Sequence, residues 1–560
     1  MHPLTILEFS WVSALSPVGV SCLAFVWPQP LAPVGNLGIS ALVATLPLGV
    51  VLIFMGGLRK SGALSAALGL ATALLLAILV WGMPLHLAVL SSLYGFAYAV
   101  WPILWMVFAG LWLYNLTVDI GNFDLLRRWM SENASGDPCI QVILVAFCFG
   151  ALLEGTSGFG TPVAVAGFLL LGLGFTARRA VTLALIANTT SVAFGGLGIP
   201  IVALAGVTGL SLMKLSAMVG RQLIFLSLIL PGYLVWVAAG HKGLKRVWPI
   251  ALAGGASFAL AQFVSSNYWG PYATGIVSAM FSIACVVWLL RVWKPAPPPV
   301  DAGPARVENP PAREERLTAW QSFTAWTPWV LLAAVMVAWS YLHLFTVGQW
   351  NIIVPHLHNG IFLTLYNKLY TAVFPFQSLA AGTAGLVAVI LTALLFRVPP
   401  RTVVQSGTKT LRQLRMAALT VGSIVALAYL YNYSGMAYTL GASLAGLGKI
   451  FPLVSGFLGW VACFLSGSDT SANLLFGNLQ VAAAHQIGVS PVLLAATNSS
   501  GAVAGKMISP QNIAVGVTTV ALAGHEGEVL RSTFGHSLLL ALLISLIAFA
   551  QAYWLSWMIP

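Results

Sequence analysis

Ten stretches of this chain are apolar over the length a helix needs to cross a bilayer: residues 38–57, 64–82, 93–116, 219–239, 249–265, 272–292, 327–346, 378–396, 416–433 and 534–557. Hydrocarbon offers no partner to a peptide N–H or C=O, so a spanning segment must satisfy its own backbone, as a helix of about 20 residues does. Charge agrees. Only 7% of the 560 residues are charged, against about 25% in a typical soluble domain, too few to cover a water-facing globule of this size. Two further stretches, 139–217 and 451–524, are apolar but broken by Gly, Ser, Thr, Asn and Pro. Each has room for two or three spans and shorter re-entrant pieces. The expected fold is an all-α polytopic membrane protein of about 12–14 transmembrane helices with two broken modules.

The formal charge of +12 would suggest nucleic acid in a soluble protein, but here the basic residues fall in short clusters between apolar runs. Arg59-Lys60, Arg127-Arg128, Arg178-Arg179 and Lys242 to Arg246 are such clusters. They are expected of loops kept on the cytoplasmic side, and nucleic-acid binding is excluded. Residues 1–37, interrupted by Pro17, Pro28, Pro30 and Pro33, read as an apolar extension or a weak first span, not a cleaved signal. A Pro-rich polar linker, 294–321, separates a first transmembrane half (38–293) from a second (322–560). Loop 347–375 carries Lys368 as its only Lys or Arg, whereas five lie between Arg397 and Arg415. The alternation places the linker inside, 347–375 outside and 397–415 inside. Cys22, Cys139, Cys148, Cys285 and Cys463 are scattered and read as small buried hydrophobes.

Of the 13 acidic residues, most sit in loops or at segment ends; Glu154 and Asp469 do not. Insertion of Asp near the bilayer centre costs roughly 2.5–3.5 kcal/mol, so a carboxylate kept there is paired, protonated or faces a watery cavity. Both acids are followed by small and hydroxylic residues: Gly155, Thr156, Ser157 and Gly158 after Glu154, and Thr470, Ser471, Ala472 and Asn473 after Asp469. Such helix-poor sequence at membrane depth belongs where backbone faces protein or a polar cavity.

A second match follows each acid. ANTTSVAFGGLGIPI (187–201) and TNSSGAVAGKMISPQ (497–511) share an asparagine, two following hydroxyl residues, Gly at +7 and Pro at +12. The residues are Asn188, Thr189, Thr190, Gly195 and Pro200 against Asn498, Ser499, Ser500, Gly505 and Pro510; the acid precedes the asparagine by 34 residues in the first half and 29 in the second. Two acid-then-Asn modules suggest an internal repeat. We expect it to be inverted, although the residues themselves do not set its orientation. In secondary transporters, interrupted helices at corresponding places of two repeats mark the binding site, and their freed amides suit an anion. Lys506 interrupts the second motif and Arg221 opens a long span; either is a candidate to neutralise a substrate carboxylate. The nine histidines show no metal-ligand spacing and no phosphate-binding loop is visible. Neither a cofactor nor a metal is expected.

The segments LLEGTSGFGTPVAVAG, NTTSVAFGGLGIPI, MVGRQL, LSGSDTSANLLFGNLQ, GKMISPQNIA and LSWMIP together resemble the bacterial L-lactate permease family, which includes lactate and glycolate permeases. The resemblance runs from about residue 38 to the C-terminus. More loosely, the paired Asn-hydroxyl motifs resemble those of a wider superfamily of ion transporters whose hairpin tips bind carboxylates and coupling ions. The family resemblance implies a multi-pass secondary transporter of the bacterial inner membrane, not an enzyme. Its cargo would be L-lactate, D-lactate and glycolate carried with protons. Thr156, Ser157 and Thr161 depart from the family's smaller or more apolar residues, which leaves the preferred 2-hydroxy acid open.

On this reading Glu154 or Asp469 carries the coupled proton. Asn188, Thr189, Asn498 and Ser499, with Thr156, Ser157, Thr470 and Ser471 beside the acids, bind the substrate, and Lys506 supplies positive potential. Arg221 is a secondary candidate. A sodium-coupled carboxylate carrier of similar architecture is the alternative, because unwound carbonyls, hydroxyls and Asp469 can also ligate Na+.

Overall fold

The computed structural model describes residues 26–58, 60–133, 137–158, 160–296, 316–522 and 524–560. Most of the expected N-terminal extension, Arg59 and residues 297–315 of the linker therefore lie outside the described residues. The described part is helical, with two small sheets in the 347–377 region. Its polarity is inside out for a soluble protein: Leu79 is 77% exposed and Leu394 70%, whereas Ser65, Thr190, Asn473 and Gln480 are fully buried. An apolar belt around a polar interior is the distribution hydrocarbon demands.

Among the described residues, eleven helices are long and apolar enough to cross a membrane, by length and composition. The longest, Leu212–Tyr268, doubles back where Gly240 (φ +66°) and Val247 leave helical geometry. Its two legs run antiparallel: the Ser216 hydroxyl donates to the Ser266 carbonyl (2.9 Å) and Ser227 to the Gln262 amide oxygen (2.6 Å). One long helix thus supplies two spans. Two shorter apolar helices, Thr161–Gly172 and Ala381–Leu395, add to these. Residues 347–375, expected as a plain loop, are partly sheet: Gln349–Ile353 pairs antiparallel with Val373–Gln377, and Trp27–Pro28 joins Ile361–Leu363.

The two broken stretches have the same plan. The first is a hairpin, Pro138–Thr156 and Thr161–Gly172, then a broken helix, Ala177–Ala187 and Gly195–Thr208. The second is a hairpin, Phe451–Ser466 and Asp469–Ile487, then a broken helix, Pro491–Lys506 and Pro510–Thr519. The hairpins rise from opposite faces. Asp137, at the foot of the first, pairs with Arg246 in the turn of the doubled helix, and Arg178 just beyond it faces Glu528 at 3.9 Å. The second begins beside Lys449, whose carbonyl accepts from Tyr553 (3.0 Å), and ends where His485 meets the ring of Tyr366. Call these the basic face and the tyrosine face.

The return arm of each hairpin packs on the far half of the other module's broken helix. Asn473 and Asn478 donate to the Pro200 and Val207 carbonyls (3.1 and 2.8 Å), and Gly516 lies against Val163 and Val181. Reciprocal contacts between modules of opposite entry are the signature of an inverted repeat. The second module is drawn especially tight. A Cβ on Gly459, Gly501 or Gly505 would overlap the backbone of Asn498, Gly456 or Trp460, so Phe451–Ser466 and Pro491–Lys506 touch backbone to backbone.

Candidate functional site

All the breaks open on one cavity of about 620 Å³. Its mouth lies on the basic face, at Lys60, Ser61, Met416, Thr420 and Glu526; its floor is made by Glu154, Gly158, Gly195, Pro200, Asp469 and Lys506. A separate space of about 1020 Å³ opens on the tyrosine face, between Tyr94, Tyr98, Tyr429, Tyr433 and His485. Ile199 and Pro200 line the first space and Val202 lines the second, so one short stretch of the broken helix, braced by Asn473, faces both.

Glu154 stands near the end of a helix that stops at Thr156, and Gly158 and Gly160 (φ +59° and +83°) turn the chain back. Opposite it, Gly196, Leu197 and Gly198 all have positive φ and break the first broken helix. A Cβ on Gly195 would overlap the Glu154 carboxyl, so glycine here admits the acid. Each carboxylate oxygen then takes one donor. Lys506 Nζ reaches Oε1 at 2.7 Å and Asn188 Nδ2 reaches Oε2 at 3.0 Å. Both ends of this ion pair are buried, with side chains 9% and 3% exposed. Lys506 also occupies the last turn of Pro491–Lys506, where the helix dipole favours a cation.

Asp469 lies in the first turn of Asp469–Ile487, where the dipole favours an anion. Its carboxylate accepts from the Ser499 hydroxyl (3.0 and 3.3 Å), and Ser499 is held by Asn473 (3.0 Å). No cation stands within ion-pair distance of Asp469 among the described residues. The site thus holds two buried acids of different kind: among the described residues, one is paired with a lysine and an amide and the other meets a hydroxyl.

The expected site residues divide into four groups. Glu154, Asp469, Thr470, Ser471 and Lys506 line the cavity. Asn188 and Ser499 stand one layer behind and hold the two acids. Thr156, Ser157, Thr189 and Asn498 do not reach the cavity. The first three return their hydroxyls to carbonyls of their own helices: Thr156 to Leu152 and Leu153, Ser157 to Leu153, and Thr189 to Ile186. Asn498 is fully buried, donates to the Ala472 carbonyl (3.2 Å) and Asn473 (3.0 Å), and accepts from Gln480 (3.3 Å). Arg221 is elsewhere, bonded to Asn267 (2.9 Å) and the Met558 carbonyl (2.7 Å).

Ser466, Ser468, Gln511 and Asn512 line the cavity without having been singled out in the sequence. The signal was present. Ser468 and Ser509 are N-caps, accepting from the amides of Ser471 and Asn512, and Ser–Pro or Ser–Asp before a helix is a start signature. Two half-helix N-termini therefore open on the cavity beside Lys506, an electropositive setting for an anion.

A family model described as L-lactate permease matches residues 40–555. The glycolate permease GlcA of Escherichia coli is 42% identical over 550 residues, covering 94% of this chain and 98% of that protein. An L-lactate permease of Bacillus subtilis is 41% identical over 568 residues, covering 95% and 100%. That of Salmonella typhimurium is 40% identical over 550 residues, with the same coverage. Among solved structures, the YdaH transporter of Alcanivorax borkumensis aligns with a TM-score of 0.45 at 15% identity, over 84% of this chain and 89% of that one.

Proposed function

The chain belongs to the L-lactate permease family, and we propose that it carries L-lactate and related small 2-hydroxy monocarboxylates, D-lactate and glycolate among them, together with a proton across the bacterial inner membrane. It is a multi-pass membrane transporter and not an enzyme. The observation that carries the substrate reading is the buried Lys506, set at one cavity with two helix N-termini. A small carboxylate there meets a cation and free backbone amides, while Thr470, Ser471 and Asn512 offer polar groups for a 2-hydroxyl.

Charge supports coupling to a cation, and the two buried acids support a proton. Lactate is a monoanion at neutral pH, and moving it alone would carry net charge through low dielectric; a proton moved with it makes the step neutral. Glu154 and Asp469 are the buried acids on the cavity floor, placed to take that proton. The stretch from Ile199 to Val202, which borders both spaces, suits alternating access, in which the same floor is opened first to one face and then to the other. Uptake of labelled lactate into proteoliposomes, with proton and sodium gradients imposed separately, tests the reading. An inward proton gradient in sodium-free medium should accelerate uptake. Uptake that responds only to sodium assigns the sodium-coupled mechanism instead.

A further inference from the structure

We propose that the Glu154 carboxylate occupies the substrate's own seat, and that a lactate carboxylate takes that seat only when a proton has moved onto Glu154. The inference rests on the transport reading above and says where the coupled proton sits.

The seat is described by its donors. Lys506 Nζ and Asn188 Nδ2 straddle one carboxylate, one donor to each oxygen, at 2.7 and 3.0 Å. That is what an incoming 2-hydroxy carboxylate would seek, and Glu154 already has it. Lys506 carries three N–H donors, so it can begin to engage a second carboxylate before releasing the first. Charge forbids keeping both. One lysine with one carboxylate is neutral; a second carboxylate leaves an uncompensated buried anion, which such an interior penalises heavily.

A proton from solution resolves the conflict. It bonds to a Glu154 carboxyl oxygen, the Glu154–Lys506 ion pair opens, and Lys506, still protonated, pairs with the lactate carboxylate. On release at the other face lactate leaves, Glu154 gives up the proton, and its carboxylate returns to Lys506. One anion and one proton have moved, and the charge at Lys506 and its partner is the same at both ends of the cycle. Among the described residues, the titratable groups facing Glu154 are Lys506, Asp469 and the Cys463 thiol. Lys506 pairs with each carboxylate in turn. The thiol forms no bond to Glu154, and Asp469 shares no ion-pair partner with the substrate, so neither is exchanged against it. The exchange of one carboxylate for another at a single lysine couples the two fluxes without a separate gate.

The test is lactate binding by the purified full-length protein as a function of pH, with proton uptake read by a pH dye in weak buffer. The wild type should take up one proton per lactate bound, and on the alkaline side its affinity should fall about tenfold per pH unit. Glu154→Gln should bind lactate with little pH dependence and no proton uptake. Lys506→Met should lose binding at every pH. Should Glu154→Gln be poorly folded, proton uptake by the wild type still decides: lactate binding without it overturns the proposal. So does a Glu154→Gln protein that keeps the full pH slope while Asp469→Asn loses it, since the proton then sits on Asp469. A wild type that binds neither lactate nor glycolate at any pH sinks the transport reading itself, which separates the two failures.

Discussion

The two broken helices invite comparison because their sequence motifs match and the positions of their breaks within those motifs do not. Residue spacing aligns Asn188 with Asn498. In the first module Asn188 immediately follows the Ala177–Ala187 helix, at the break, and donates to a cavity carboxylate. In the second the helix runs unbroken from Pro491 to Lys506, and Asn498 lies mid-helix, knotted to Asn473, Ala472 and Gln480. The residue at the equivalent break is Lys506. Position relative to the break, not position within the motif, decides which side chain meets the cavity. The repeat thus places an amide and an ammonium on the two oxygens of one acid.

Removing the ammonium should have the largest effect. Lys506→Met strips the cation from a buried carboxylate, and breaking such a pair by deleting one partner costs about 3–5 kcal/mol. Lactate uptake should vanish and thermal stability fall. Adding Glu154→Gln should restore much of the stability and none of the uptake, because the double variant buries no lone charge. If Lys506→Met still transports lactate normally, the break-based equivalence loses its functional meaning.

The two asparagines should then separate. Asn188→Ala removes a donor to a charged group, worth about 1.5–3 kcal/mol, and the cost should appear mainly as a ten- to hundredfold loss of lactate affinity. Asn498→Ala leaves buried partners unsatisfied at about 1–3 kcal/mol. Its cost should appear as a lower melting temperature, with affinity in the folded fraction close to wild type. Equal losses of affinity in the two variants would break the comparison in favour of the sequence alignment.

The same contrast explains what was legible in the sequence. Glu154, Asp469 and Lys506 stood out because charge is so costly in apolar runs, and all three line the cavity. Helices of the right length and the broken stretches followed from backbone satisfaction alone. Glycine misled, because it serves two physical ends here. Gly196 and Gly198 break a helix with positive φ, whereas Gly501 and Gly505 keep a continuous helix in close contact with Gly456 and Trp460. Composition cannot tell these uses apart, so a five-point match passed over the difference. Arg221 was ambiguous for a similar reason: its partner, the Met558 carbonyl, is 337 residues away. The sheets in 347–377 were obscured by short strands that pair across long loops and with Trp27–Pro28.

The smallest expected effect concerns the hydroxyl pairs that follow each acid, and it asks how far the asymmetry between modules extends. Thr156 and Ser157 spend their hydroxyls on carbonyls of the preceding helical turn, at 2.9–3.1 Å, and lie behind the cavity wall. Such local bonds replace no substrate contact, and Ser157→Ala or Thr156→Val removes donor and leaves a carbonyl that still has a helical neighbour. Each should cost no more than about 1 kcal/mol of stability and move lactate affinity by less than twofold. Thr470 and Ser471 line the cavity, and Ser471 also offers its amide to the Ser468 cap. Thr470→Val and Ser471→Ala should therefore weaken lactate or glycolate binding several-fold while stability changes little. Measured side by side, equal affinities in all four variants would confine the asymmetry between modules to the charged centre. Losses confined to Thr156→Val and Ser157→Ala would show that the first hairpin tip reaches substrate in another state of the transport cycle.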